Sequence, residues 1–308
     1  MNKLLKLFSI TVLITILIIN VKLNAQTDSA VDSVKSKSIM FEDSENNPAS
    51  PNFIPNWHDM ITNIPNDWVK YFSVTWNANK IPLYLTVAAT TAATIVTDDK
   101  SWQIVRKWHD EKSFNTKFDE FFTEFGDGRT QFGMAVAFGL YGWLGKDARA
   151  LRTASQIVQT VLASGTVVQV LKHITGRETP NTASTPTGVW RFFPSQIEYH
   201  KHVSTYDAFP SGHVTTTLAT VIVIAENYPE VWWIRPVGYV LTGLVAWGMV
   251  GTGIHWWSDY PLAVALGYTF GMIAAHPEGI PAEIAGKKIN VMPMYVNKGF
   301  GISVGFSF

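Results

Sequence analysis

The sequence predicts an all-α protein, a helical bundle followed by one short C-terminal β-hairpin. Three observations carry this reading. Six long uncharged stretches rich in Ala, Leu, Val and Thr run through the chain, and almost no alternating apolar and polar pattern precedes residue 289. The last residues, FGISVGFSF, then alternate with a clean period of two.

Taken in order, the chain opens with MNKLLKLFSITVLITILIINVKLNAQ. Lys3 and Lys6 precede an apolar run from Leu7 to Val21 and a small residue, Ala25, the three-part layout of a secretory signal peptide at 1–25. An uncleaved N-terminal anchor is the competing reading, although the run is short for a span of about 20 residues. Residues 26–52 are rich in Ser, Asp, Asn and Lys with few large apolar groups, the composition of a disordered linker.

The helical domain is expected over 53–280. Its first part places Trp57, Trp68, Tyr71, Phe72 and Trp76 among polar residues, a pattern that suits either a bilayer surface or an aromatic core. The uncharged stretches Ile81–Thr97, Gln131–Gly145, Ala154–Leu171, Val214–Ala225, Val237–Ile254 and Tyr260–Ala275 follow. Most run 12–18 residues, whereas a span needs about 20, so buried bundle helices and short membrane spans both stay open. At 289–308 a strand, the turn NKG and the alternating ending form the hairpin. One hairpin cannot close a barrel of about 8 strands, which favours packing on the bundle or on a partner.

Composition excludes some classes. Lys plus Arg and Asp plus Glu both number 24, so bulk charge offers nothing to nucleic acid. Cys is absent, which rules out a disulfide framework and a lipid-modified Cys after the signal. Charged residues make up 16% against a usual figure of about 25%, and hydrophobic ones 47%. Together these point to an exported protein of a bacterial cell envelope, periplasmic or membrane-associated, with membrane contact.

Chemistry concentrates in three stretches. AFPSGH, residues 208–213, sets Pro210, Ser211, Gly212 and His213 at the mouth of an apolar helix. A helix N-terminus there offers backbone N–H groups and the positive end of the dipole to an anion. LKHITGRETPN ends another apolar helix with Lys172 and continues to Arg177 in a loop closed by Pro180. GTGIHWWSDYPLA carries His255 and Asp259, four apart. A cation, an anion-binding turn and two imidazoles are what phosphoryl transfer requires, with one His as nucleophile oriented by a carboxylate and the other as acid.

These stretches resemble the tripartite signature of the type 2 phosphatidic acid phosphatase superfamily, which includes bacterial class A acid phosphatases and vanadium haloperoxidases. The family pattern is Lys, six residues, Arg-Pro; then Pro-Ser-Gly-His; then Ser-Arg, five residues, His, three residues, Asp. The match runs in order from Lys172 to Asp259. The resemblance implies that His255 is the nucleophile forming a phosphohistidine, that Asp259 orients its ring and that His213 protonates the leaving group. It implies phosphate contacts from Lys172, Ser211 and the N–H of Gly212, with no metal and no cofactor.

Two positions depart from the pattern: Thr179 and Met249 stand where the motif has arginines. Arg177 is the expected replacement, with Arg191, Lys201 and Arg235 also near in sequence. Trp190, Trp256 and Trp257 are expected in the core, or as an apolar wall for a lipid or isoprenoid tail. The loop from Asn181 to Asp207 is expected to cover the pocket, and the spacing of His200 and His202 fits no zinc pattern. The expected activity is a phosphatase acting on a phosphate monoester or diphosphate, lipid or lipid-linked. Two rivals use the same scaffold: a catalytically silent binder of a phosphorylated lipid or envelope partner, and a haloperoxidase with vanadate as cofactor.

Overall fold

The computed structural model describes residues 53–278 and the backbone of the strand segments 289–296 and 299–306. The expected signal peptide at 1–25 and linker at 26–52 lie outside the described residues.

The helical unit contains α1 (Asp59–Thr62), α2 (Ile64–Thr75), α3 (Ile81–Ile95), α4 (Asp98–Glu111), α5 (Ser113–Phe125) and α6 (Gly128–Gly145). It continues with α7 (Ala148–Thr175), α8 (Gln196–Lys201), α9 (Gly212–Asn227), α10 (Ile234–Gly251) and α11 (Tyr260–Ala275). Each of the six uncharged stretches falls on a long helix. Local chemistry marks their ends: Asp127, Asp147 and Ser211 accept N–H bonds from Arg129, Ala150 and Val214 as N-caps of α6, α7 and α9. Gly176 closes α7 in the left-handed region at φ 52°, where Gly carries no Cβ penalty.

Helices α4 and α5 were not among the expected stretches, and the reason is physical. The buried face of α4 is Asp98, Ser101, Val105 and His109, and that of α5 is Asn115 and Asp119. Their inward stripe is largely polar, so apolar periodicity does not report it. The two helices are joined by a buried hydrogen bond between His109 Nδ1 and Asp119 Oδ2 at 2.8 Å.

Helix α9 is central and packs on α7, α10 and α11. Its contact with α11 depends on small residues. A Cβ on Gly267 would stand 2.5 Å from the Thr215 carbonyl oxygen, and one on Gly271 2.7 Å from the Ile222 Cβ. The core continues through Ile157, Val161, Val223 and Ala274 on one side and Val168, Leu266 and Phe270 on the other.

The early aromatics divide between the two expected roles. Trp68 donates its indole N–H to the Ala163 carbonyl and Tyr71 stacks on Phe270 at 4.8 Å, both core positions. Trp57, Phe72 and Trp76 are exposed, as are Trp143, Trp232 and Trp233. Helices α7 and α10 are long and apolar enough to cross a membrane, which fits membrane association. By itself, the C-terminal segment pairs Ile289–Val296 (β1) antiparallel with Gly299–Phe306 (β2), Ile289 opposite Phe306 and Val296 opposite Gly299.

Gly267→Ala is expected to lower Tm, because overpacking costs about 1–3 kcal/mol. Gly165→Ala in α7, where an added Cβ meets nothing within 4 Å, is expected to leave Tm unchanged or raise it. Thermal unfolding followed by circular dichroism compares the two.

Candidate active site

The N-terminus of α9 forms the floor of the site. Ser211 is fully buried; its hydroxyl accepts the Val214 N–H at 3.4 Å and its own N–H donates to the Asp259 carbonyl at 3.2 Å. That bond ties AFPSGH to the stretch carrying His255. The N–H groups of Gly212 and His213 belong to the first turn, where a helix supplies no partner. Lys172, in the last turn of α7, is buried, and its Nζ pairs with Asp207 Oδ2 at 2.9 Å. Asp207 also accepts the Tyr199 hydroxyl at 2.7 Å.

His255 and His213 face each other with ring centroids 6.3 Å apart, nearly edge to face. His255 is 1% exposed. Its Nδ1 stands 3.4 Å from Asp259 Oδ2, within ion-pair reach without hydrogen-bond alignment, and its Nε2 has no hydrogen-bond partner. Catalytic hydrogen bonds of this kind are often long before substrate arrives. Asp259 Oδ2 also accepts the Trp256 N–H at 2.7 Å. The backbone turn that holds His255 closes on Met249, whose carbonyl accepts the N–H groups of Ile254 and His255.

His213 is held well below its ordinary range, to about 4. Burial is the largest cause, followed by the positive charges of His255 and Lys172; Asp127 and Asp207 pull the other way. The end of α5 packs directly on this imidazole's stem, since a Cβ on Gly126 would stand 3.3 Å from the His213 Cβ.

Arg177, the expected additional phosphate contact, has protein partners on both Nη groups. Its guanidinium is fully buried and already engaged: Nη1 donates to Asp259 Oδ1 at 2.5 Å and to Ser258 Oγ at 2.6 Å. Nη2 donates to Asp98 Oδ2 at 2.8 Å and to the Thr187 carbonyl at 2.9 Å. Trp190 and Trp256 both lie against the guanidinium, 4.8 and 5.5 Å from its carbon. Arg177 therefore holds Asp259 instead of an incoming anion. Thr179 and Met249 do not substitute, because both are buried: Thr179 donates to the Ser204 carbonyl and Met249 is in the core.

Trp256 and Trp257 take the core reading, while Trp190 is half-buried against Phe192 and Phe209. Trp256 is 1% exposed, packs edge-on against Trp102 and donates its indole N–H to the Glu178 carbonyl. Trp257 is buried against Trp247 and Tyr260. The loop to Asp207 is organised by Glu178, whose buried carboxylate accepts bonds from Ser184, the Val189 N–H and Arg191. Arg235 pairs with Glu226, and Lys201 with Glu198.

Sequence reasoning missed Asp98, Asp207 and Glu178. Asp207 adjoins AFPSGH, so its proximity was readable. Asp98 had no local signal, since its bonds to Ser258 join residues 160 positions apart.

Near the N-terminus of α9 the structure brings together two imidazoles, His255 within ion-pair reach of Asp259, and a lysine whose charge acts on His213, groups of the kind that phosphoryl transfer uses. The family model described as PAP2 superfamily matches residues 153–277, consistent with a member of the PAP2/haloperoxidase superfamily and with phosphatase-type chemistry. No curated protein and no solved structure matches the chain significantly.

Glu178→Gln is expected to loosen the 181–207 loop while the bundle stays folded. Limited proteolysis should then cut several-fold faster within that loop, with little change in the far-ultraviolet circular dichroism melt, because loss of one charge weakens a local network of bonds to a charged group.

Proposed function

We propose that the protein is a phosphatase of the cell envelope that cleaves a phosphate monoester or diphosphate, lipid or lipid-linked, through a phosphohistidine on His255. The observation that carries this reading is the pairing of His255 with Asp259 opposite His213, at the N-terminus of α9.

In the first step the Nε2 lone pair of His255 attacks phosphorus, and the bond to the leaving oxygen breaks as that oxygen takes a proton from His213. In the second, neutral His213 accepts a proton from water as that water attacks phosphorus; phosphate leaves and His255 is restored. Asp259 balances the positive charge on the phosphorylated imidazole. Lys172 and the N–H groups of Gly212 and His213 hold the phosphate oxygens, with Ser211 shaping the turn. Exported or periplasmic residence, a lipid substrate and membrane contact belong to the same proposal; the exposed tryptophans and the two apolar helices support the membrane part.

The position of His213 gives a pH dependence with a definite sign. A general acid must be protonated, and kcat/KM reports the free protein. For an alkyl phosphate, kcat/KM should therefore fall as pH rises through about 4. A bound phosphate dianion favours the imidazolium, so the corresponding limb of kcat should lie at higher pH. His213→Gln should cost far more with an alkyl phosphate than with p-nitrophenyl phosphate, whose leaving group needs little protonation; general acid catalysis is worth about 10²–10⁴-fold.

The direct test is phosphate release by the full chain in detergent from p-nitrophenyl phosphate, phosphatidic acid and an isoprenyl diphosphate, with His255→Ala alongside. Release that vanishes in the variant is the expected result. A folded protein that releases phosphate from none of them while binding vanadate would favour the silent binder, a reading motivated by Thr179 and Met249.

A further inference from the structure

We propose that Asp98 and Arg177 are positioning residues that set the geometry and charge of the His255–Asp259 pair, an inference that rests on the phosphatase reading for its kinetic consequence. Neither residue is assigned by the family resemblance as a reacting group, and Asp98 lies outside the stretch the family model matches.

The geometry is a buried chain of charges. Asp98 at the start of α4 accepts from Arg177 Nη2 and, through both oxygens, from the N–H and hydroxyl of Ser258. Arg177 reaches onward from Nη1 to Asp259 Oδ1, and Asp259 turns Oδ2 toward His255 Nδ1. All three charged side chains have no exposed surface. A carboxylate with one oxygen fixed by a guanidinium and the other by the Trp256 N–H has no freedom to rotate away from the imidazole.

The charge argument follows from the same arrangement. Arg177 partly offsets the Asp259 charge that favours an imidazolium at His255, and Asp98 partly offsets Arg177. The other groups facing this region are His213 on α9, the Tyr260 ring 6.2 Å away on α11, and Lys172, Asp127 and Asp207, whose charges act on His213. None of these changes in the variants below.

Removing the positive charge with Arg177→Gln favours the protonated imidazole, so the limb of the kcat/KM profile that reports His255 moves to higher pH. Burial pushes the Asp98 carboxyl up to about 6; above that pH Asp98→Asn removes a negative charge, leaves Arg177 acting more fully on Asp259 and moves that limb to lower pH. Each shift is expected to be on the order of one pH unit for charges in this partly screened setting. Both variants should lose about 10–100-fold in kcat, the range for loss of a partner that orients a functional imidazole, with KM little changed. Arg177→Lys keeps the charge and should return the limb to its original pH.

The experiment measures these pH profiles on the full chain in detergent, beside circular dichroism melts and the His255 imidazole resonances of the same proteins by nuclear magnetic resonance. Opposite displacements in the two folded variants are the expected result. Displacement in neither, with kcat retained, overturns the proposal and leaves the chain of charges as a structural clamp only. If Arg177→Gln does not fold, Asp98→Asn and Arg177→Lys decide it. A wild-type protein without phosphate release sinks the phosphatase reading alone, because the His255 resonances still show whether the two variants move the imidazole in opposite directions.

Discussion

The arrangement of the site depends on one buried guanidinium. Arg177 belongs to the loop after α7, Asp98 to the start of α4, and Ser258 and Asp259 to the turn before α11, and its two Nη groups join all three. Burying a charge costs several kcal/mol after relaxation, and the attraction of partners offsets this only when the geometry is good and the remaining donors are met. Here two carboxylates, a hydroxyl and a carbonyl meet both Nη groups, while Nε has no hydrogen-bond partner and two indole rings lie against the guanidinium. Such a network specifies one arrangement of its segments, since removing any member leaves a buried charge without its partner.

The candidate site offers few cations. The two motif positions held by Thr179 and Met249 are packed into protein, so neither presents a donor to a phosphate. The loss of a charged contact is worth about 1.5–3 kcal/mol, and what remains is Lys172 together with the first-turn amides of α9. Lys172 is itself held by Asp207, and Asp207 by Tyr199. In the proposed reaction a phosphate at Lys172 would meet a carboxylate already there, which makes the loop bearing Asp207 part of that site's electrostatics.

The outer surface follows a different rule from the interior. Inside, α4 and α5 bury Asp98, His109 and Asp119, while outside the protein exposes Trp57, Trp76, Trp143 and Trp232. The interior holds an apolar core beside these buried polar groups, and the outward aromatics fit a surface in contact with an apolar or interfacial medium.

The sequence by itself determined the helices built on uncharged stretches and the three short motifs, because helical periodicity, Pro and Gly punctuation and motif spacing are local properties. It singled out His213, His255, Asp259, Lys172 and Ser211 as members of those motifs, while packing brings the stretches of Ser211, His213, His255 and Asp259 together. It did not reveal α4 and α5, whose inward stripe is polar, or the buried partners of Arg177. A basic residue five positions after Lys172 looks like a phosphate ligand when only the loop is read. Tertiary structure decided otherwise, because Asp98 comes from another helix 79 positions earlier and claims one side of the guanidinium while Asp259 claims the other. Side-chain type is written in the sequence, but the partner that satisfies a buried charge is chosen by packing, and that partner fixes what the charge can do.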